Sequence, residues 1–197
     1  MPDHRDRYYY LAKKERYRSR AAFKLIELQT KFNFLYEGQN ILEIGASPGG
    51  WSQIVTSITK TTVISVDVNK MEPLENTVFI RGRVGDKSLR ERIVQEMERL
   101  GIAQFDGIIS DAMSNTSGNQ DIDHSSSYLI CQEVMNLAKS LLAEGGFVLV
   151  KQFQGDLTIP FVNHWKKDFH SAKITKVAAS RESSKEVYVM FQSFRPS

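Results

Sequence analysis

Residues 40–52 read N-I-L-E-I-G-A-S-P-G-G-W-S, and this stretch decides the fold. Residues 40–44 have the apolar pattern of a short buried strand, and the glycine-containing residues 45–50 form the loop that stops it. The apolar spacing that follows predicts a helix beginning near Trp51. A strand, a glycine loop and a helix in this order are typical of an α/β fold, which binds ligands at the carboxyl ends of its strands.

The remainder of the chain continues this alternation of elements. Apolar, β-branched runs predict further strands at 62–67, 78–80, 107–110, 147–150, 173–177 and 187–191. Helical spacing predicts helices at 19–28, 89–100, from about 127 to 142, and at 160–167. No helix separates the last two strands, so we expect the final strand to run antiparallel at or near an edge. The sequence thus predicts one α/β domain over 1–197, with a mostly parallel, doubly wound, Rossmann-like sheet.

Composition excludes several classes of protein. A chain of 197 residues with 41% hydrophobic residues is long enough to fold around its own core. Cys131 is the single cysteine, which excludes an internal disulfide and favours a reducing compartment. No apolar run approaches the ~20 residues of a membrane span, and the first residues lack a secretory signal. We therefore expect a cytoplasmic protein with no membrane contact. His4, His124, His164 and Cys131 show no zinc spacing, so we expect no metal site. We also expect a monomer.

The net charge of +3 is unevenly distributed. Residues 1–31, the N-terminal arm, hold nine basic and four acidic residues, whereas residues 32–150 hold nine basic and fifteen acidic residues. Residues 151–197 are basic again, with eight basic and four acidic residues. Tyrosines are interspersed among the basic residues of the arm, and this mixture suits phosphate neutralisation and base stacking. We expect the arm to contact RNA, with Arg18 and Arg20 as its RNA-binding residues.

The glycine loop indicates the kind of ligand. Its spacing departs from G-x-G-x-x-G, because Ser47 and Pro48 occupy the middle of the loop, so a dinucleotide pyrophosphate fits poorly. The second predicted strand ends at Asp67, about 20 residues after the loop, where a carboxylate can accept hydrogen bonds from ribose hydroxyls. A ribose-binding acid without a phosphate cradle suggests a nucleoside cofactor without phosphates, and S-adenosylmethionine fits this description. The cofactor-binding candidates are Gly45, Gly49, Gly50, Trp51, Asp67 and Asp111.

Five motifs occur in order from about residue 8 to residue 190: R-S-R-A-A-F-K-L at 18–25, G-A-S-P-G-G-W-S-Q at 45–53, S-D at 110–111, V-K-Q-F-Q-G at 150–155 and S-K-E-V-Y at 184–188. Together they resemble the FtsJ/RrmJ (RlmE) family of 2′-O-ribose methyltransferases. The resemblance implies an S-adenosylmethionine-dependent enzyme acting on large-subunit ribosomal RNA, with 2′-O-methyluridine as its product. It also implies a catalytic set made of Lys24, Asp111, Lys151 and Glu186.

The positions of these four residues agree with that implication. Asp111 and Lys151 follow two predicted parallel strands, Lys24 lies on the first predicted helix, and Glu186 precedes the last strand. A sulfonium methyl is already activated, so the enzyme chiefly aligns a 2′-hydroxyl and helps to remove its proton. We expect Lys151 to contact the attacking oxygen, as a base or as a stabilising cation, and Asp111 to orient it. Lys24 and Glu186 are expected to tune the network and position the ribose.

The sequence departs from the family pattern at three places. Glu43 ends the first strand where the family often has Asp, and Ser114 stands where Pro is typical. Arg83 occupies the position of the Asp that commonly contacts the adenine amino group, which leaves Asp86 as a possible substitute.

Three other functions remain open at this level. The same chemistry could act on tRNA or on an mRNA cap, although 197 residues leave little room for a cap-binding domain. A non-catalytic RNA-binding or ribosome-assembly protein could share the fold, but the intact catalytic set argues against it. A nicotinamide-dependent oxidoreductase is disfavoured by the spacing of the glycine loop.

Overall fold

A seven-stranded sheet with the order β3-β2-β1-β4-β5-β7-β6 organises the structure, a computed structural model that describes residues 7–114, 117–180 and 184–196. Its strands are β1 (Ile41–Ile44), β2 (Val63–Asp67), β3 (Thr77–Arg81), β4 (Phe105–Ser110), β5 (Leu142–Phe153), β6 (Phe169–Thr175) and β7 (Glu186–Phe194). The helices are α1 (Arg7–Lys14), α2 (Ala21–Phe32), α3 (Gly50–Thr59), α4 (Lys87–Leu100), α5 (Gln120–Leu141) and α6 (Thr158–Trp165), and a 3₁₀ turn spans Lys166–Asp168.

Strands β1 to β5 are parallel, and β7 pairs antiparallel with both β5 and β6. The predicted doubly wound sheet with a final antiparallel strand is therefore confirmed. The edge strand is β6, because β7 inserts between β5 and β6. This order brings the start of β7 to the carboxyl ends of the parallel strands, with Glu186 opposite Phe153.

Helices cover both faces of the sheet, which explains why β1 and β2 are buried along their whole length. One apolar cluster joins the sheet to α4, α5 and α6, and includes Leu89, Ile93, Val134, Met135 and Phe161. The second joins it to α2 and α3, and includes Ala22, Leu25, Leu28, Trp51 and Val55. The two layers fix the sheet, so the strand ends present their residues in a rigid arrangement.

Several elements differ from their predicted form; β6, for example, spans Phe169–Thr175 rather than 173–177. Helix α1 lies in the N-terminal arm, where its short apolar pattern gave no helical signal, and the Tyr8 ring packs 5.6 Å from that of Phe23. Helix α5 begins at Gln120 rather than near 127, because Asn119 caps it by accepting the amide N–H groups of Asp121 and Ile122. Strand β5 extends beyond 147–150 at both ends. In the described ranges, no helix is long and apolar enough to cross a membrane.

Candidate active site

Lys151 and Asp111 form the first ion pair at the carboxyl edge of the sheet. Lys151 lies near the end of β5, and Asp111 directly follows β4. The Lys151 Nζ atom donates to the Asp111 main-chain carbonyl at 2.7 Å and lies 3.0 Å from its Oδ1 atom. The Lys151 side chain is only 6% exposed, so the amine is removed from water and directed at the strand ends.

Lys24 and Glu186 form the second pair. The Lys24 Nζ atom of α2 lies 2.7 Å from Glu186 Oε2, and Ser180 Oγ donates to the same oxygen at 3.0 Å. Burial raises the pKa of Glu186, but Lys24, Lys151 and Ser180 together outweigh burial and hold that pKa below its usual value. Since Lys151 is among the charges that act on Glu186, the two ion pairs belong to one electrostatic network.

Tyr188 supports the first of these pairs, and the sequence did not predict it as a site residue. Its hydroxyl donates to Asp111 Oδ1 at 2.8 Å, and its ring is fully buried. Burial raises the pKa of Tyr188 well above its usual value, and Asp111 and Glu186 add to the effect. Residues i and i+2 of a strand share one face, so the position of Tyr188 two residues after Glu186 on the same strand could have indicated that it faces the site.

Side chains of α5 hold the end of β5 in place. Strand β4 stops at Ser110, opposite Val150, so the main chain of β5 beyond that point has no partner on that side. Three α5 side chains supply the missing partners: Cys131 Sγ donates to the Lys151 carbonyl at 3.1 Å, Ser127 Oγ accepts the Phe153 N–H at 3.0 Å, and His124 Nδ1 bonds the Phe153 carbonyl at 2.7 Å. Burial raises the pKa of the Cys131 thiol to about 12, which fits a structural group.

The glycine loop lies beside this network. Gly45 has a φ of +81°, and a Cβ atom there would come within 2.4 Å of the Ala112 main chain. Gly49 has a φ of +109°, and a Cβ on Gly50 would collide with Ser19 Oγ at 2.2 Å. The left-handed backbone favours glycine at 45 and 49, and the main-chain contact with Ala112 adds to this at 45, whereas the contact at 50 is with a hydroxyl that can rotate.

Asp67, the last residue of β2, is hydrogen-bonded to the glycine loop. Its carboxylate accepts the Ser47 N–H at 2.9 Å and the Asn69 N–H at 2.7 Å, and the residue is 9% exposed. Each carboxylate oxygen retains a further lone pair for another donor. Trp51 is instead a core residue, 2% exposed, with its Nε1 donating to the Ala21 carbonyl at 2.8 Å. The structure gives Trp51 a packing role, and its contact with a cofactor stays a prediction.

Four other predicted positions lie around the loops. Arg18 and Arg20 are half-buried, and both guanidinium groups donate to main-chain carbonyls. Arg83 is exposed just after β3. Asp86 is the N-cap residue of α4, but its side chain makes no cap hydrogen bond. Of the departures from the family pattern, Ser114 ends a described range, with a buried hydroxyl that has no hydrogen-bond partner in the part of the chain that the structure describes.

Glu43 is the buried acid of the site. Burial raises its pKa to about 7, an effect that hydrogen bonds from Ser52 and Ser65 reduce and that the nearby Asp111 and Asp67 reinforce. The two hydroxyls lie 2.5 Å and 2.8 Å from Glu43 Oε2. The carboxyl is therefore protonated in the folded chain at pH values where it is ionised in the unfolded chain.

This shift predicts a pH-dependent stability. Between pH 4.5, the model-compound value, and about 7, the folded state holds a proton that the unfolded state has lost, so the free energy of unfolding falls as pH rises. The contribution from Glu43 is about 3 kcal/mol. We expect Glu43→Gln to remove this contribution, so that the wild type loses about 3 kcal/mol relative to the variant between pH 4.5 and 8. Urea unfolding at several pH values measures the difference. Parallel pH profiles for the two proteins would contradict it, and Glu98→Gln on the exposed face of α4 is the control.

The order of the sheet and the acids at its strand ends define a class: a Rossmann-like methyltransferase fold with a lysine- and acid-lined site beside a glycine loop. The chain belongs to the FtsJ-like methyltransferase family, whose family model matches residues 17–194.

Individual relatives agree with this assignment. A Picrophilus torridus protein named ribosomal RNA large subunit methyltransferase E is 47% identical over 95% of this chain and 96% of its own length. The Thermoplasma acidophilum protein of the same name is 42% identical over 98% of this chain and 93% of its own length. A crystal structure from Plasmodium falciparum, titled as a putative ribosomal RNA methyltransferase, superposes with a TM-score of 0.83 at 32% identity and covers 92% of this chain and 100% of its own.

Proposed function

We propose that this protein transfers a methyl group from S-adenosylmethionine to the 2′-hydroxyl of a ribose, that of a uridine, in large-subunit ribosomal RNA. The observation that carries the proposal is the meeting of Lys151–Asp111 and Lys24–Glu186 beside the glycine loop. Family membership supplies the methyltransferase class, and the names of the relatives point to large-subunit ribosomal RNA.

The residues around the glycine loop fit S-adenosylmethionine. The buried Asp67 carboxylate at the end of β2 suits the two hydroxyls of a ribose, and residues 45–50 would pass beside the rest of the nucleoside. Asp111 lies near enough to the loop to face a positive charge, since its N–H donates to the carbonyl of Ile44 at 3.1 Å. When bound, this cofactor supplies a methyl group on a sulfonium, which needs no further activation.

The residues of the chain then act on the acceptor hydroxyl. Lys151 would contact the attacking oxygen; it would either accept the proton as a neutral amine or, as an ammonium, stabilise the developing alkoxide while the proton passes to solvent water. Asp111 holds Lys151 through its carboxylate and its carbonyl, and Tyr188 fixes the Asp111 carboxylate. Lys24 and Glu186 form the adjacent wall, where they position the ribose for in-line attack.

The exposed part of the N-terminal arm suits a polyanionic partner. Arg7, Lys13 and Lys14 are exposed on α1, and Tyr10 on the same helix is 52% exposed. Basic groups beside exposed aromatic rings favour RNA through charge neutralisation and stacking. Residues 1–6 of the arm lie outside the described residues. Action in the cytoplasm as a monomer stays part of the proposal.

Transfer of labelled methyl from S-adenosylmethionine tests the function. Free large-subunit ribosomal RNA, intact large subunits and tRNA are offered in parallel, and we expect label in the first or second and none in tRNA. Digestion of the labelled RNA to nucleosides should then yield 2′-O-methyluridine. Label in tRNA alone would overturn the ribosomal target, and label on a base would overturn ribose chemistry. Specific RNA binding without any transfer would favour a non-catalytic role.

A further inference from the structure

Residues 18–27 contact both halves of the site. On the cofactor side, Arg18 donates through Nη1 to the carbonyl of Glu72 at 2.6 Å and through Nη2 to the carbonyl of Pro73, also at 2.6 Å. A longer bond of 3.4 Å reaches the carbonyl of Pro48 in the glycine loop. A single guanidinium group therefore connects the loop after β1 with the loop after β2. These two loops are the ones proposed to hold the cofactor.

Neighbouring contacts fix this side of the segment to α3. The Arg18 N–H donates to Gln53 Oε1 at 2.7 Å, and Gln53 Nε2 donates back to the carbonyl of Arg16 at 3.1 Å. Ser19 also packs against Gly50, where an added Cβ atom would come within 2.2 Å of Ser19 Oγ and displace that hydroxyl. The Arg18 side chain is thus held at the back of the glycine loop.

On the acceptor side, the same segment holds the connection between β6 and β7. Glu27 accepts the Ala178 N–H at 2.8 Å and the Ala179 N–H at 3.2 Å, one on each carboxylate oxygen. Arg20 Nη2 donates to the carbonyl of Ala179 at 2.7 Å. The next residue, Ser180, donates its hydroxyl to Glu186.

These residues share one face of α2 with Lys24. The helical spacing of 20, 24 and 27 places the three side chains above one another along the helix. Lys24 contacts Glu186 directly, while Glu27 and Arg20 fix the turn whose serine also contacts Glu186. The position of the Glu186 carboxylate therefore depends on α2 at two points.

We propose that residues 18–27 are a positioning segment with two separable roles. Arg18 sets the distance between the two cofactor loops, and Glu27 sets the position of Glu186 through the turn at 178–180. The proposal rests on the proposed function. It also assigns Arg18 a place other than the surface contact with RNA that the sequence suggested, because its two shortest hydrogen bonds end on carbonyls of this chain.

Separate substitutions at the two positions test the proposal. For Arg18→Met, we expect the Kd of S-adenosylmethionine, measured by titration calorimetry without RNA, to rise about tenfold or more, since hydrogen bonds to a charged group are lost. In Glu27→Gln, the amide NH₂ group replaces one carboxylate oxygen and faces a main-chain N–H, so one of the two hydrogen bonds to the turn at 178–180 is lost. We therefore expect kcat to fall about tenfold while the cofactor Kd changes less than about twofold. Arg99→Met and Glu98→Gln, both on the exposed face of α4, are the matched controls.

The outcomes separate this inference from the proposed function. A wild-type protein that neither binds S-adenosylmethionine nor methylates RNA refutes the proposed function. With an active wild type, an unchanged cofactor Kd and a raised KM for RNA in Arg18→Met would identify Arg18 as an RNA contact and overturn its assignment here. Equal losses of kcat and cofactor affinity in both variants would show a general structural role and also overturn the proposal. Thermal unfolding monitors folding, and Arg18→Lys and Glu27→Asp replace any variant that does not fold.

Discussion

Lys151→Ala is expected to lower the rate of methyl transfer by roughly 10²–10⁴-fold, the range for loss of a positioned proton-transfer group. The Lys151 Nζ atom lies 2.7 Å from the Asp111 main-chain carbonyl oxygen and 3.0 Å from the carboxylate oxygen Oδ1. Among the described residues, no other lysine or arginine forms an ion pair with the Asp111 carboxylate. Alanine removes the one lysine amine of β5, which we propose contacts the acceptor oxygen. We expect the Kd of S-adenosylmethionine to change by no more than a few fold, because the glycine loop and Asp67 are untouched.

Single-turnover transfer to RNA and titration calorimetry measure the two effects separately. Among the described residues, the variant leaves Tyr188 as the hydrogen-bond partner of the Asp111 carboxylate, so a loss of stability is expected and unfolding must be followed. Lys167→Ala, which removes an exposed lysine of the 3₁₀ turn after α6, is the control. Substantial residual turnover would contradict the assignment of Lys151, whereas loss of cofactor binding would place Lys151 in the cofactor pocket instead. A pH profile of the wild-type rate distinguishes a base from a stabilising cation.

Much of the fold was predictable because its signals are local. The apolar runs of β1 and β2 and the glycine loop between β1 and α3 can be recognised from adjacent residues. The start of α5 was missed because residues 120–127 are mostly polar, and the helix there depends on its Asn119 cap. The C-terminal extension of β5 depends on pairing with β7 and on the α5 side chains, and its N-terminal extension depends on the pairing of Leu142 with Phe105 of β4; the local pattern contains neither.

The identities of the site residues were likewise predictable from the sequence, whereas their pairing and orientation were not. Lys24, Asp111, Lys151 and Glu186 were identified from motifs, and the structure brings them together as two ion pairs. Which lysine pairs with which acid follows from the insertion of β7 beside β5, a long-range property of the sheet. The inward orientation of Arg18 was also hidden, because a basic residue in a basic arm has the same sequence signal whether it faces solvent or a carbonyl.

Gly45→Ala is expected to lower kcat/KM for methyl transfer by roughly 10²-fold, the size of effect that displacements of about 1 Å produce in an active site. Gly45 has a φ of +81°, and its added Cβ would lie 2.4 Å from both the Cα and N atoms of Ala112. These are main-chain atoms, so relief requires the backbone to move. The residue that moves with Ala112 is Asp111, the partner of Lys151. We therefore expect both cofactor binding and the rate of transfer to fall.

Gly145→Ala is a matched control for this prediction. Gly145 has a φ of +79°, nearly that of Gly45, but an added Cβ there meets nothing within 4 Å. Both variants should pay about 1–2 kcal/mol for a left-handed backbone conformation, measurable by urea unfolding. Only Gly45→Ala should also lose activity and cofactor affinity, because only its Cβ displaces the Asp111–Ala112 backbone. Equal activities in the two variants would show that this close approach is not needed for transfer, and that Gly45 serves the turn alone.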